Sequence, residues 1–323
     1  MKETPLGSGR LESSTGTVRW MVTRRDFLRS SGLFVAGLFA GPAYATMAEP
    51  SHKLPFRFGM VTDVHYADVA ARGERHYRES LAKMGECIKL MNARKVELLI
   101  ELGDFKDQDE PVLEKNTLQY LKTIEKVFGK FKGPRYHVLG NHDMDSISKT
   151  QFQSSVRNTG INRKSTYYSF DKKGLHLVVL DANYTAGGSD YDHGNFDWRD
   201  ANIPAAELDW LRTDLESATL PVIVFVHQQL DGDDDHCVRN AERIRQVLQE
   251  SNKVLAVFQG HKHSGQYSYI ENIHYYTLKA MVTGSGGENN SYAIVDVYDD
   301  QSIMVTGYRR AESIRMQIPG KTT

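Results

Sequence analysis

The sequence predicts an α/β fold built on a buried, mostly parallel sheet, and three observations carry that expectation. Short runs rich in Val, Leu and Ile alternate with amphipathic segments from residue 56 onward. The amphipathic segments keep helical spacing, and the tail turns into consecutive strand-like runs with no helix between them.

The predicted strands are FRFGMVT (56–62), VELLIEL (96–102), RYHVLG (135–140), LHLVVLD (175–181), PVIVFVH (221–227) and VLAVFQG (254–260). Each is brief, apolar and bounded by charged or turn residues. Between them, segments 75–93, 111–131, 205–218 and 238–250 place apolar residues on one helical face. Strand–helix–strand alternation sets parallel strands side by side under a helical cover. In the tail, QYSYIE, IHYYTLKAMV, SYAIVDVY and SIMVTGYR follow one another. They predict an antiparallel end to the sheet or a second sheet packed on it. The connection at 182–204 is long, polar and aperiodic. Such loops are functional or disordered, and Tyr184, Tyr191 and Trp198 favour a substrate-facing wall over a solvated excursion.

The first segment reads as an address rather than as part of the fold. TRRDFLR (23–29) precedes an uncharged stretch at 30–45, too short and too rich in Gly and Ala to span a bilayer. The stretch ends in Ala43-Tyr44-Ala45, an A-x-A cleavage pattern. The paired Arg24 and Arg25 followed by Phe27-Leu28 resemble a twin-arginine leader. The expectation is an export signal over 1–45, a single domain over 46–323, and a periplasmic or extracellular destination. The leader holds six Lys and Arg against three Asp and Glu, so its removal takes the net charge from -1 to -4. A mildly acidic chain carries no electrostatic footprint for nucleic acid. Cys87 and Cys237 are the only cysteines, which excludes a disulfide framework and leaves one bridge open. Cys87 falls in an apolar helical pattern that suits the core.

The strand ends are where open α/β sheets place their chemistry. After the first strand comes Asp63-Val64-His65, after the second Gly103-Asp104, and after the third Gly140-Asn141-His142-Asp143. His227 closes the fifth, and Gly260-His261-Lys262-His263 follows the sixth. Alternation of side chains puts both ligands of D-x-H and of H-x-H on one side of an extended segment. Glycines before Asp104, Asn141 and His261 allow sharp turns. Carboxylate with imidazole suits Mn, Fe, Zn or Co better than Ca or Mg. Any one block is an ordinary turn or a satisfied core group; five in order behind five strands point to a metal centre.

This arrangement resembles the calcineurin-like metallophosphoesterases, whose D-x-H…G-D-x-x-D…G-N-H-[DE]…H…G-H-x-H pattern is complete here over about 56–265. The resemblance implies an α+β layered β-sandwich of mixed sheets flanked by helices. It implies two divalent ions, manganese first, with iron, zinc or cobalt as alternatives. Asp63, His65 and His263 would hold one ion and Asn141, His227 and His261 the other, with Asp104 bridging. His142 would act as the acid on the leaving group, and Asp143 would orient it. Asp107 stands where purple acid phosphatases carry a metal-binding tyrosine, which disfavours a tyrosinate–iron site.

Within the superfamily the chain looks most like the manganese-dependent ADP-ribose/CDP-alcohol diphosphatases. DVHYAD (63–68), RHYRESL (75–81), LVVLDA (177–182) and CVRNA (237–241) carry that likeness. It implies hydrolysis of a nucleotide diphosphate conjugate; a phosphomonoesterase or cyclic-nucleotide phosphodiesterase with the same metals is the alternative, and a non-catalytic binding protein on the same scaffold the reading from another class. The expected partner is a small-molecule phosphate ester or nucleotide conjugate, with no nucleic acid and no stable membrane partner beyond the export machinery. Arg72, Arg75 and Arg78 lie three apart beside the first metal-bearing loop, with Arg78 named for a second phosphate and a solvated helix face as the plain alternative. Arg239 and Asn240 open a helix after His227 and serve either substrate or the helix cap. The glycine-rich 284–290 segment is a phosphate nest or a flexible turn.

Overall fold

Two six-stranded mixed sheets pack face to face, with helices on both outer faces. The computed structural model describes residues 56–317, all within one compact unit; the expected leader at 1–45 lies outside the described residues. The first sheet runs β12-β11-β10-β1-β2-β3, with β1 Phe56–Val61, β2 Leu98–Glu101, β3 Arg135–His137, β10 Ser291–Val297, β11 Ile303–Arg309 and β12 Ile314–Met316. The second runs β4-β5-β6-β7-β9-β8, with β4 Tyr168–Lys172, β5 Leu175–Val179, β6 Val222–Phe225, β7 Val254–Gln259, β8 Gln266–Ile270 and β9 Ile273–Thr277.

The alternation predicts β1-β2-β3 in one sheet and β5-β6-β7 in the other, and these do run parallel. Strand β9, from the tail, also pairs parallel with β7, where the sequence predicts an antiparallel end. The tail divides between the sheets. β8 and β9 extend the second, while β10 to β12 return antiparallel along β1 in the first. This is the layered sandwich of mixed sheets, rather than one sheet with an antiparallel end.

Period-two alternation explains the layers. On β1, Phe56, Phe58 and Met60 face the interior between the sheets. Val61 faces the other way, against α1 Ser80–Arg94 and α2 Glu114–Phe128. On β6, Ile223 and Phe225 face inward, and Val222 and Val224 meet α4 Ala205–Ser217 and α5 Ala241–Glu250. Phe58 sits edge-on to Phe225 and Phe258 at 5.7 and 5.8 Å between ring centroids, the geometry that aromatic quadrupoles favour. Strand β4 and the seven-residue α3, Lys149–Ser155, are additions to the sequence-derived elements. Both cysteines are free thiols, with Cys87 on the buried face of α1 as its pattern predicts. Among the described residues no helix is long and apolar enough to cross a membrane.

Candidate metal centre

Five strand ends, after β1, β2, β3, β6 and β7, deliver their polar residues to one place. Ligand atoms of Asp63, His65 and His263 lie within 4.8 Å of one another, and so do those of Asp104, His227 and His261. The carboxylate of Asp104 stands between the two groups. Its Oδ2 is 3.4 Å from His65 Nε2 and 3.2 Å from His227 Nε2. Asp63 Oδ1 is 3.3 Å from His263 Nε2.

The backbone is bent to make this possible. Asp63, His65, Asp104 and His261 all take positive φ, from 45° to 67°. Side chains other than glycine seldom adopt that region, and the strain collects where function requires a particular aim. Of the three motif glycines only Gly103 has positive φ, at 100°. Gly140 and Gly260 are required for space instead. A Cβ on Gly140 would lie 2.2 Å from the Asp104 amide nitrogen, and one on Gly260 would lie 2.1 Å from Thr62 Oγ1.

Neighbouring groups fix each ligand's orientation. His227 Nδ1 donates to the Leu102 carbonyl at 2.8 Å, so Nε2 presents its lone pair to the centre. His65 Nδ1 donates to Asp107 Oδ2 at 3.0 Å and is set the same way. Such outer partners orient metal-bound imidazoles. Asp107 thus supports the ligand His65 from behind. Asp63 Oδ2 accepts from Thr62 Oγ1 and the His261 amide at 2.8 and 3.1 Å.

Four buried atoms are left over. Asp63 Oδ1, Asn141 Oδ1, His227 Nε2 and His261 Nε2 make no well-aligned hydrogen bond within the protein, although His263 Nε2 and Asp104 Oδ2 approach the first and third of them. Stranding buried polar atoms is costly, and all four face the cluster of oxygen and nitrogen donors that divalent ions require. The residues fit a pair of cations.

His142 and Asp143 part company. The Asp143 carboxylate accepts the amides of Gly140 and Phe105 at 2.9 Å each and of Asp104 at 3.1 Å. Burial and the Asp104 charge push its pKa up to about 6, while the Lys106 charge and the Gly140 amide draw it the other way. It ties two metal-bearing loops together and does not orient His142, contrary to the sequence-derived expectation. Asp145 takes that role, with Oδ2 2.6 Å from His142 Nδ1. The signal was present as the i, i+3 spacing, because side chains three apart eclipse on a 3₁₀ turn. Burial opposes a charge on His142, but the carboxylates of Asp145 and Asp104 outweigh it and push the imidazole up to about 10.

The arginines also sort differently from expectation. Arg78 turns away to Asp68, with Nε 2.5 Å from its carboxylate, and Arg72 pairs with Glu110 at 2.8 Å. Arg75 is the one that lines the metal pocket, 3.4 Å from His142 Nε2. Arg239 pairs with Asp200 at 2.6 Å, and the Asn240 side chain bonds both the amide and the carbonyl of Ile203. Neither lines the pocket; both pin the 182–204 loop. The 284–290 turn is no free nest either, since Glu79 accepts the Gly286 amide at 2.6 Å and Ser285 Oγ at 2.9 Å. A carboxylate of the chain itself fills the place of an anion.

Of the loop's four aromatics, Trp198 alone lines the metal pocket, beside His236 and His261. Tyr191 is buried and stacks on Phe196, and Tyr184 lies under the Lys149 ammonium. His236 was missed in the sequence because an Asp-rich segment conceals it.

A sandwich of mixed sheets that gathers two such ligand sets at its strand ends defines a dinuclear-metal phosphohydrolase, whose cofactor is a pair of divalent ions. The chain belongs to the calcineurin-like phosphoesterase family, whose model matches residues 56–265. It is 24% identical over 317 residues to the manganese-dependent ADP-ribose/CDP-alcohol diphosphatase of Oryza sativa, covering 84% of this chain and 96% of that protein. The enzyme of the same name from Arabidopsis thaliana is 24% identical over 294 residues, covering 77% and 93%. A dimetal phosphatase from Danio rerio shares the fold with a TM-score of 0.70 at 20% identity, over 82% of this chain and 99% of that one.

Proposed function

We propose that the protein hydrolyses the diphosphate linkage of nucleotide conjugates of the ADP-ribose or CDP-alcohol kind, with manganese as its metal. The observation that carries the chemistry is Asp104 Oδ2, placed between His65 Nε2 and His227 Nε2 with unpartnered donors on both sides. The substrate class is supported by a likeness to diphosphatases that runs along most of both chains.

In this reading Asp63, His65 and His263 would hold one cation and Asn141, His227 and His261 the other, with Asp104 shared between them. Bound there, the cations supply positive charge for the phosphoryl oxygens and lower the pKa of water. Arg75 directs its guanidinium at the phosphate from the pocket wall, where planar donors match phosphate oxygens. His142, held cationic by Asp145, gives its Nε2 proton to the departing oxygen. General acids of this kind contribute roughly 10²–10⁴ in rate.

The test is manganese-dependent turnover of the purified protein on ADP-ribose, CDP-choline, simple phosphomonoesters and cyclic nucleotides. Preference for the first two is the expected result; turnover confined to monoesters or cyclic nucleotides rejects it. The paired arginines and the AYA site further support export by the twin-arginine route. Replacing Arg24 and Arg25 together by Lys should retain the protein in the cytoplasm on fractionation, and unchanged export of that variant rejects this route.

A further inference from the structure

The metal pocket is small for the substrate it is meant to serve. Its volume is about 200 Å³, and a second cavity of about 500 Å³ adjoins it through Asn141, His142 and Trp198. Small-molecule sites run to roughly 300–1,000 Å³, so a conjugate whose phosphorus reaches the metal ligands must extend into the outer cavity. Trp198 is the large apolar wall that the two share. Among the described residues, five large hydrophobics are exposed, and Trp198, 39% exposed, is the only one of them lining either cavity.

The ring is held there rather than left loose. It sits on a 3₁₀ turn, Trp198–Asp200, capped by the Asp197 carboxylate, which accepts the Arg199 amide at 3.0 Å. Asp200 accepts the Ala186 amide at 3.0 Å and Arg239 Nε at 2.6 Å. Beside the turn, Tyr191 and Phe196 stack at 3.9 Å. A pinned turn that keeps an indole half in water over a polar pocket is pre-organised for a flat partner. The charge nearby selects among flat and cationic partners. The Arg199 guanidinium already lies 6.0 Å from the ring centroid, in the position an organic cation would take.

We infer that Trp198 is a stacking platform for the nucleobase, and so sets selectivity for nucleotide over non-nucleotide phosphates at the site proposed above, on whose nucleotide reading it rests. Base–aromatic stacking is sequence-tolerant and is strong enough to change affinity about tenfold. Calorimetric titration of the manganese-loaded full chain with AMP, ribose 5-phosphate and phosphocholine tests it. The parent should bind AMP more tightly than ribose 5-phosphate. Trp198→Ala should weaken AMP about tenfold or more and leave ribose 5-phosphate within about twofold, and Trp198→Phe should recover most of the AMP affinity. Equal weakening of AMP and ribose 5-phosphate would mean that the indole only props His261, and overturns the inference. So does unchanged AMP binding, a parent without preference for AMP, or a selective loss of phosphocholine. Turnover of ADP-ribose by the parent is measured alongside. Its absence rejects the proposed reaction, while selective loss of AMP binding in Trp198→Ala still supports the platform.

Discussion

Asp145 Oδ2 lies 2.6 Å from His142 Nδ1, whereas Asp143, immediately next to that histidine, spends its carboxylate on backbone amides. The contact fixes the orientation of the ring, with Nε2 toward Arg75 and the pocket, and favours the positive charge on it. Asp145→Asn removes the charge that raises the His142 pKa. The folded pKa then falls, and the alkaline limb of the kcat–pH profile should move to lower pH; an unmoved limb would exclude Asp145 from this role. His142→Ala should lower kcat by roughly 10²–10⁴ with metal content unchanged.

Asp143→Ala should behave as a structural lesion instead. It strands several buried amides, each worth roughly 1–3 kcal/mol, and uncouples the loop of Asp104 from that of Asn141. A loss of at least about 3 kcal/mol in urea unfolding is expected, together with reduced metal content. Full metal occupancy and stability in this variant would contradict the tie described here.

Gly140→Ala tests the packing of the bridge. Its Cβ would fall 2.3 Å from Asp104 Oδ1, so the carboxylate must move from its place between His65 and His227. Elemental analysis should find fewer than two metals per chain. Chelation of the parent should lower its melting temperature in the same direction, because a ligand at 100 times its Kd stabilises by about 2.7 kcal/mol.

Lys149 anchors the loop that carries Trp198. Its ammonium lies 2.8 Å from the buried Asp181 and 2.7 Å from Asp190. Lys149→Met leaves Asp181 uncompensated and should destabilise by about 3 kcal/mol or more. Adding Asp181→Asn should return much of that loss, and a strictly additive double variant would argue against the pairing.

His176 bonds Asp214 Oδ2 at 2.8 Å and Asp171 Oδ1 at 2.7 Å, joining the β4–β5 hairpin to α4. The Asp214 hydrogen bond outweighs burial, and the folded pKa is raised. The folded state therefore binds the proton more tightly. The gain is complete below the ordinary histidine range and is lost as pH rises through the folded pKa. The melting-temperature gap between the parent and His176→Gln should shrink as pH climbs from 6 to 9. A constant gap would assign the residue to packing alone.

The strands and ligands that could be read from the sequence are those whose signal is local. VLAVFQG and PVIVFVH announce buried strands by composition, and D-x-H or G-H-x-H announces a strand end by its turn. Which strands pair was not local. SYAIVDVY returns to β1 while IHYYTLKAMV joins β7, and both are equally apolar, so no periodicity distinguishes them. The same limit separates Arg75 from Arg78. Three residues apart in sequence, they part because Asp68 lies within reach of the second and Asp107 and His142 within reach of the first. Glu79 in the 284–290 turn is likewise a contact across about two hundred residues, invisible to any reading of the glycines themselves. Short elements such as KTQFQSS in α3 fall below the length at which an apolar face declares itself.

The antiparallel return of β10 along β1 has a consequence for biosynthesis. The Arg57–Asp296 pair within it joins positions 239 apart in sequence. A ribosome adding about 5–20 residues per second needs roughly 10–50 s to travel between them. For that interval the strand leading into Asp63 and His65 offers a bare hydrogen-bonding edge to any neighbouring nascent chain. Translation that halts before residue 291 would leave that edge open for good.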